Sequence, residues 1–386
     1  MSAKTEARRL VEQSRDSLVA LSEAIHDDPE LCFEEHHASE RVAEALTRSG
    51  FEVELGICGL STALRGRVGS GPLSLVICAE YDALPGVGHA CGHNLIAASA
   101  VGAGMALAPI ADDLGLSVTV LGTPAEEGGG GKILLLERGA FDGAHAAMMV
   151  HPWPQDRLGA RCLAVDHFEV RYTGREAHAS AAPERGINAG DAMVVAQVAI
   201  GLIRQHLRRG DQVHGVVESG GQAPNIVPRE AFGRWMVRAE NLEALAVLRP
   251  RIDHCFEAGS LATGAKLEMR NLSPTYSQFV PDAALLSAWK LNAEDLGRRY
   301  GADASGEELP TISTDMANVS LALPSIHPMV GLDSKGSVNH QPEFAAACVG
   351  PSAERAMIDG AIAMAWCAVD AGTDPDLREH LYSVST

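Results

Sequence analysis

Apolar residues recur at helical spacing from the start of the chain. Leu10, Val11, Leu18, Val19, Leu21 and Ile25 lay one stripe along residues 5–26, and a second helix is expected over 37–49, closed by Gly50. The pattern then changes to short apolar runs. Residues 73–78, 117–122 and 146–150 read as buried strands, with helices expected between them over 94–108 and 132–137. Chemically capable residues cluster where each run stops: Glu80 to His93 after the first, Glu126 and Glu127 after the second, His151 after the third. Open α/β sheets bind ligands at the carboxyl ends of their strands, so this placement predicts an α/β fold with a site along one sheet edge.

The rhythm is interrupted once. A strand over 167–172, a helix over 188–207, strands over 213–218 and 231–238, a helix over 242–261 and a strand over 266–270 spell a ferredoxin-like βαββαβ unit. The first pattern resumes with a helix over 281–300, opened by a proline, and another over 350–371. The expected organisation is a mixed-sheet α/β domain built from residues 1–165 and 276–386, with an α+β domain of residues 166–275 inserted into it.

Composition narrows the class. With 386 residues, 46% of them hydrophobic and 21% charged, the chain is long enough for two domains with cores of their own. Its N-terminus, MSAKTEARRL, lacks an apolar leader, and no run approaches the ~18 residues that span a bilayer, so neither export nor a membrane partner is expected. Eight irregularly spaced cysteines make no disulfide framework and fit reduced thiols in a cytoplasmic enzyme. A net charge of −19 with no basic stripe argues against a nucleic-acid partner.

The chemistry is concentrated in two strings. EYDALPGVGHACGHN, residues 80–94, carries Cys91 and His93, and TPAEEGGGG, residues 123–131, carries Glu126 and Glu127. A thiolate, an imidazole and a carboxylate from Cys91, His93 and Glu127 suit a borderline divalent cation, and Glu126 is then free to act as a base. Adjacent residues at a strand end point opposite ways, which would send one carboxylate to the cation and the other toward a water. The glycine run is not a phosphate cradle, because the segment ending at Lys132 lacks the leading glycine and the following Ser or Thr of a P-loop.

These strings, together with IHDDPELCFEE (25–35), VHPWP (150–154), GREAHASAAPERGINAGDA (174–192), APNIVP (223–228) and STDMANVS (313–320), resemble the aminoacylase-like dinuclear metallopeptidases of peptidase family M20. They are most similar to the amidohydrolase branch with the aminobenzoyl-glutamate hydrolases and aminoacylase-1-like dipeptidases. The motifs follow family order over nearly the whole chain. The resemblance implies a catalytic domain with an inserted lid and dimerisation domain, and two divalent metal ions, with Zn, Mn and Co all compatible. It implies the ligands Cys91, His93, Glu127, His151 and His340, with Glu126 as general base toward a metal-activated water. Other branches have a ligand histidine two residues before Asp82, where this chain has Glu80. His93 takes over that role, Glu80 stays open as a further ligand, and Asp82 fits a carboxylate that fixes an imidazole tautomer. The resemblance further implies that His178 reaches across a homodimer to steady the oxyanion. Asn225 and Arg238 are candidates to bind the substrate, a small amide or dipeptide.

Blander readings compete at each point. A cysteine after a glycine-rich strand end is usually a small buried hydrophobe, His89 suits a structural hydrogen bond, and His36, His37, His206 and His254 suit the surface. Three other functions remain to be separated from metal-dependent hydrolysis of N-acyl or N-aroyl amino acids or dipeptides. One is a thiol hydrolase with Cys91 as nucleophile, which would survive chelation. The others are a catalytically silent binding protein on the same fold and a metal-sensing or storage protein, for which a separate lid would have no purpose.

Overall fold

The computed structural model describes residues 2–300 and 311–384, and the chain divides into two compact units: Met1–Arg161 with Phe279–Thr386, and Cys162–Gln278. The first unit is built on a six-stranded sheet. Its strands run in the order Glu52–Leu55, Leu64–Val68, Leu116–Gly122, Leu73–Ala79, Ala146–Met148 and Ser325–Ile326. The first two pairings are antiparallel and the rest parallel, so the sheet is mixed, with its parallel half toward the last strand. Leu73–Ala79 is flanked on both sides and buries Leu73, Leu75, Val76, Ile77, Cys78 and Ala79, as its continuous apolar run predicts.

The helix His93–Leu107 is apolar all round and correspondingly buried on nearly every face. Its small residues let neighbours close in. A side chain at Gly102 would meet Leu18 at 2.8 Å and Ala361 at 3.1 Å, which seats the helix against Arg15–His26 and the long C-terminal helix Pro351–Thr373. That packing holds His93, the first residue of the helix, against the sheet edge.

Two expectations need correction. The helix expected over 5–26 is two helices, Ala3–Gln13 and Arg15–His26, joined at Ser14, whose φ of −89° and ψ of 1° break the ladder without disturbing the apolar spacing on either side. The third run also ends sooner than expected: Ala146–Met148 stops and the chain re-enters a separate two-stranded sheet as His151–Trp153, parallel to Met329–Gly331.

The second unit is an antiparallel four-stranded sheet in the order Lys266–Asn271, Ala164–Thr173, Glu230–Ala239, Gln212–Ser219. With the helices Ala189–Ile203 and Leu242–Thr263 it has the βαββαβ order of a ferredoxin-like unit. Phe168, Tyr172, Trp235 and Phe256 centre its core. Each helix begins on an asparagine: Asn188 accepts from the Gly190 and Asp191 N–H groups, and Asn241 from that of Ala244.

Candidate active site

The strand Leu73–Ala79 delivers Glu80, Tyr81 and Asp82 into the interior, all of them 1% exposed or less. A loop then leads through Gly92, held at a φ of 79° where a side chain would strike Pro152 at 2.4 Å, into the helix that begins at His93. Cys91 and His93 therefore flank a position only glycine fills comfortably. The Asp82 carboxylate sits between two anchors. One oxygen lies 3.0 Å from His93 Nδ1, and the other accepts the Glu127 N–H at 3.0 Å. A carboxylate on Nδ1 leaves Nε2 as the coordinating atom.

Glu126 and Glu127 are not at a strand end. They lie in a turn that follows Leu116–Gly122, entered through Ala125 at a φ of 59°. The expectation that strand alternation sends the two carboxylates opposite ways is therefore corrected. Glu126 Oε2 and Glu127 Oε1 both face His93 Nε2, at 4.0 and 3.9 Å. The left-handed residue is held by Glu35, a buried carboxylate that accepts the N–H groups of Phe33 and Ala125, each at 2.9 Å, and the Thr62 hydroxyl at 2.8 Å.

His151 and His340 complete the cluster from distant parts of the chain. Cys91 Sγ lies 3.5 Å from His151 Nε2 and 3.7 Å from His340 Nε2, and His340 Nε2 is 3.5 Å from Glu127 Oε2. His151 Nδ1 donates to the Pro152 carbonyl at 2.8 Å, turning Nε2 toward the cysteine. His340 adopts a φ of 71° and its N–H donates to the Ala90 carbonyl at 2.8 Å, tying the C-terminal segment to the cysteine loop.

The donor set fits divalent cations. Four atoms at 2.0–2.3 Å from one tetrahedral ion lie about 3.3–3.8 Å apart, the range of the contacts that Cys91 makes with His151 and His340. Two trios share the cysteine: Cys91, His93 and His151, and Cys91, Glu127 and His340, each offering one donor atom per residue within 4.8 Å of one another. His93 Nε2 and Glu127 Oε1 are buried and have no hydrogen-bond partner among the described residues. Burial raises the Cys91 thiol and the Glu126 carboxyl well above their ordinary ranges and lowers His151 to about 4. A cation among these donors supplies the charge that burial denies them. Asp82 goes the other way: burial opposes its charge, but His93, the Glu127 N–H and Lys132 together outweigh burial and hold it at about 2.

The remaining candidates lie in the second unit. His178 is exposed, and its Nδ1 faces the Ser180 and Ala181 N–H groups at 3.3 and 3.2 Å, which leaves Nε2 outward. Asn225 is exposed, and its backbone carbonyl accepts the Ala179 N–H at 3.0 Å, joining the two motif loops. Arg238 stands on the strand Glu230–Ala239 in alternation with the buried Val237 and Ala239, on the sheet face away from the helices. His89 lies beside the Ile25 backbone. It is 2% exposed, its ring nitrogens have no partner at ordinary hydrogen-bond geometry among the described residues, and its ring stands 6.3 Å from that of His26.

Two groups escaped the sequence reading. Lys132, read only as the end of a failed phosphate motif, is fully buried between Glu80 and Asp315. His327 packs its ring 5.4 Å from that of His151. A signal for it existed: His-Pro occurs at 151–152 and again at 327–328, and the strands beside the two dipeptides pair in parallel.

Known proteins resemble this chain in sequence and in fold. Residues 76–356 match the model of "Peptidase family M20/M25/M40". The chain is 36% identical to a mouse Xaa-Arg dipeptidase over 97% of its own length and 90% of the relative's. It is 29% identical to a p-aminobenzoyl-glutamate hydrolase polypeptide of Escherichia coli K12 over 72% of its own length and 62% of the relative's. Its fold is similar, at a TM-score of 0.69 and 22% identity over 93% of this chain and 98% of the other, to a Bacillus subtilis protein described as a dinuclear metal binding peptidase of the M20 family.

Proposed function

This chain belongs to the peptidase family M20/M25/M40 and is a hydrolase of amide bonds, and from that premise we propose that it is a two-metal dipeptidase or N-acyl amino acid amidohydrolase. A single observation carries the reading: Cys91, His93, Glu127, His151 and His340, spread over 250 residues of sequence, converge beside a second carboxylate, Glu126. In this reading the five hold the cations and Glu126 is the base. Dipeptides with a C-terminal arginine are the first substrates to test, because relatives at 36 and 34% identity are named Xaa-Arg dipeptidase.

Bound divalent cations supply Lewis acidity toward the scissile carbonyl and a water acidified toward neutrality. The rest falls to the chain. Asp82 keeps the His93 proton on Nδ1. Glu126 takes a proton from the attacking water as the C–O bond forms, and delivers it to the amine nitrogen as the C–N bond breaks. The carbonyl oxygen turning anionic needs a donor, and the outward Nε2 of His178 is suited to be one, contributed by the partner subunit. Asn225 and Arg238 are assigned to the substrate, Arg238 with a planar fork that matches a carboxylate.

A homodimer through the second unit has physical support. On the helix Ala189–Ile203, Val194, Val198 and Leu202 follow one another at intervals of four and are 56, 56 and 72% exposed, an apolar stripe that a second copy would cover. No helix among the described residues is long and apolar enough to cross a membrane, and all eight cysteines are free, which suits the proposed cytoplasmic setting.

The deciding experiment is a substrate screen on metal-stripped protein with Mn, Co or Zn restored in turn. The panel covers Xaa-Arg dipeptides, p-aminobenzoyl-glutamate and N-acyl amino acids. Turnover that appears only on metal addition is expected. Turnover that survives chelation would transfer the chemistry to the Cys91 thiol, and none across the panel would leave a silent binding protein.

A further inference from the structure

Lys132 is the second residue of the helix Gly131–Glu137, and its side chain is entirely removed from solvent. Its Nζ lies 2.5 Å from Glu80 Oε1 and 2.7 Å from Asp315 Oδ1, and its N–H donates to Asp315 Oδ2 at 2.8 Å. An ammonium buried this deeply persists only where carboxylates surround it. Glu80, Glu126 and Asp315 each offer an oxygen within 4.8 Å of one another, the spacing of a cation pocket, and Lys132 brings a fixed cation to it.

The second oxygen of Glu80 is the informative atom. Neither Glu80 oxygen, both of them buried, has a hydrogen-bond partner among the described residues; Oε1 has the Lys132 ion pair, whereas Oε2 lies 3.4 Å from His93 Nε2, which has no such partner either. The two face each other without the alignment of a hydrogen bond, at the separation that two ligands of one tetrahedral ion keep. We propose that Glu80 is an additional ligand of the cation that His93 holds, and that Lys132, anchored by Asp315, is the positioning residue that aims it. One oxygen is fixed by the ammonium and the other is turned to the cation. The inference rests on the site being a cation centre, and it adds a carboxylate ligand that the Cys/His/Glu pattern does not contain.

The test is a titration of metal-stripped protein with Co²⁺, reading stoichiometry by equilibrium dialysis and ligand geometry by the visible absorption of the bound ion. Wild type should take up two equivalents. Glu80→Ala should keep one and bind the other at least ~10-fold more weakly, with an altered absorption band, and Lys132→Met should move both readouts the same way. Because Lys132→Met strands Glu80 and Asp315, the double variant Lys132→Met/Asp315→Leu, which removes two of the three buried charges, guards against simple misfolding. It should keep the weakened second site. Wild-type affinities and band in Glu80→Ala would reduce the Glu80–His93 contact to an ion pair and overturn the ligand assignment. Wild-type binding in the folded double variant would remove Lys132 from any positioning role. A wild-type protein that binds no Co²⁺, Mn²⁺ or Zn²⁺ would instead bring down the two-metal function and this inference with it.

Discussion

Glu126 and Glu127 are chemically identical neighbours with different surroundings. Both face His93, but the Glu127 side chain also reaches His340 and its backbone N–H is tied to Asp82, whereas Glu126 borders the acidic pocket of Glu80 and Asp315. Glu126→Gln is therefore expected to retain its metal and lose turnover by roughly 10²–10⁴-fold, the usual worth of a positioned base. Glu127→Gln should lose metal first, and metal analysis beside steady-state kinetics separates the two; exchanged phenotypes would mean the roles are reversed. Cys91→Ser should reduce metal retention and activity together, because a hydroxyl is a far poorer anionic donor than a thiolate. Full metal content with full activity in that variant would remove Cys91 from the centre. At this scale the sequence was most legible where several donors share one short string, as Cys91 and His93 do. Lys132 was not legible: a lysine after a glycine run looks like surface, and only the fold shows that its partner Asp315 lies 183 residues away.

At the scale of elements, the turn that carries the acidic pair depends on how closely the next helix begins. A β-carbon at Gly131 would lie 1.8 Å from the Pro124 carbonyl oxygen, so the helix Gly131–Glu137 can start there only without a side chain. Gly131→Ala is expected to destabilise the protein by about 1–3 kcal/mol or more in chemical denaturation and to pull the glutamates out of register. An unchanged midpoint with unchanged metal affinity would show that the backbone yields at no cost. Periodicity located the long elements well because each buries a broad stripe or a whole strand. It missed Met316–Ala322, Pro342–Ala347 and Pro375–Val384, which span only two or three turns. It also ran through the break at Ser14, which leaves no mark in the apolar pattern, and it took the Glu126–Glu127 turn for extended chain because a positive φ at an alanine has no sequence signature.

For the whole molecule, the shared site is the claim most open to loss. If His178 serves the partner's centre, Glu126→Gln and His178→Ala homodimers should both be nearly inactive, since an oxyanion donor is typically worth ~10²–10³-fold. Mixed after subunit exchange, they should recover up to about a quarter of native activity, because roughly half of random dimers are hybrids with one intact site of two. No recovery in a mixture shown to contain hybrids would confine His178 to its own chain or remove it from the reaction. The insertion of Cys162–Gln278 between the halves of the first unit has a consequence during synthesis. A ribosome releases Cys91, His93, Glu127 and His151 early, then must make an entire second unit before His340 emerges. The inserted unit carries its own core and can fold in that interval, while the four earlier donors wait without their last companion. Every nascent chain and every C-terminal truncation short of residue 340 thus lacks one member of the proposed donor set, so the order of translation itself would delay the assembly of the proposed centre until well after the inserted unit has been made.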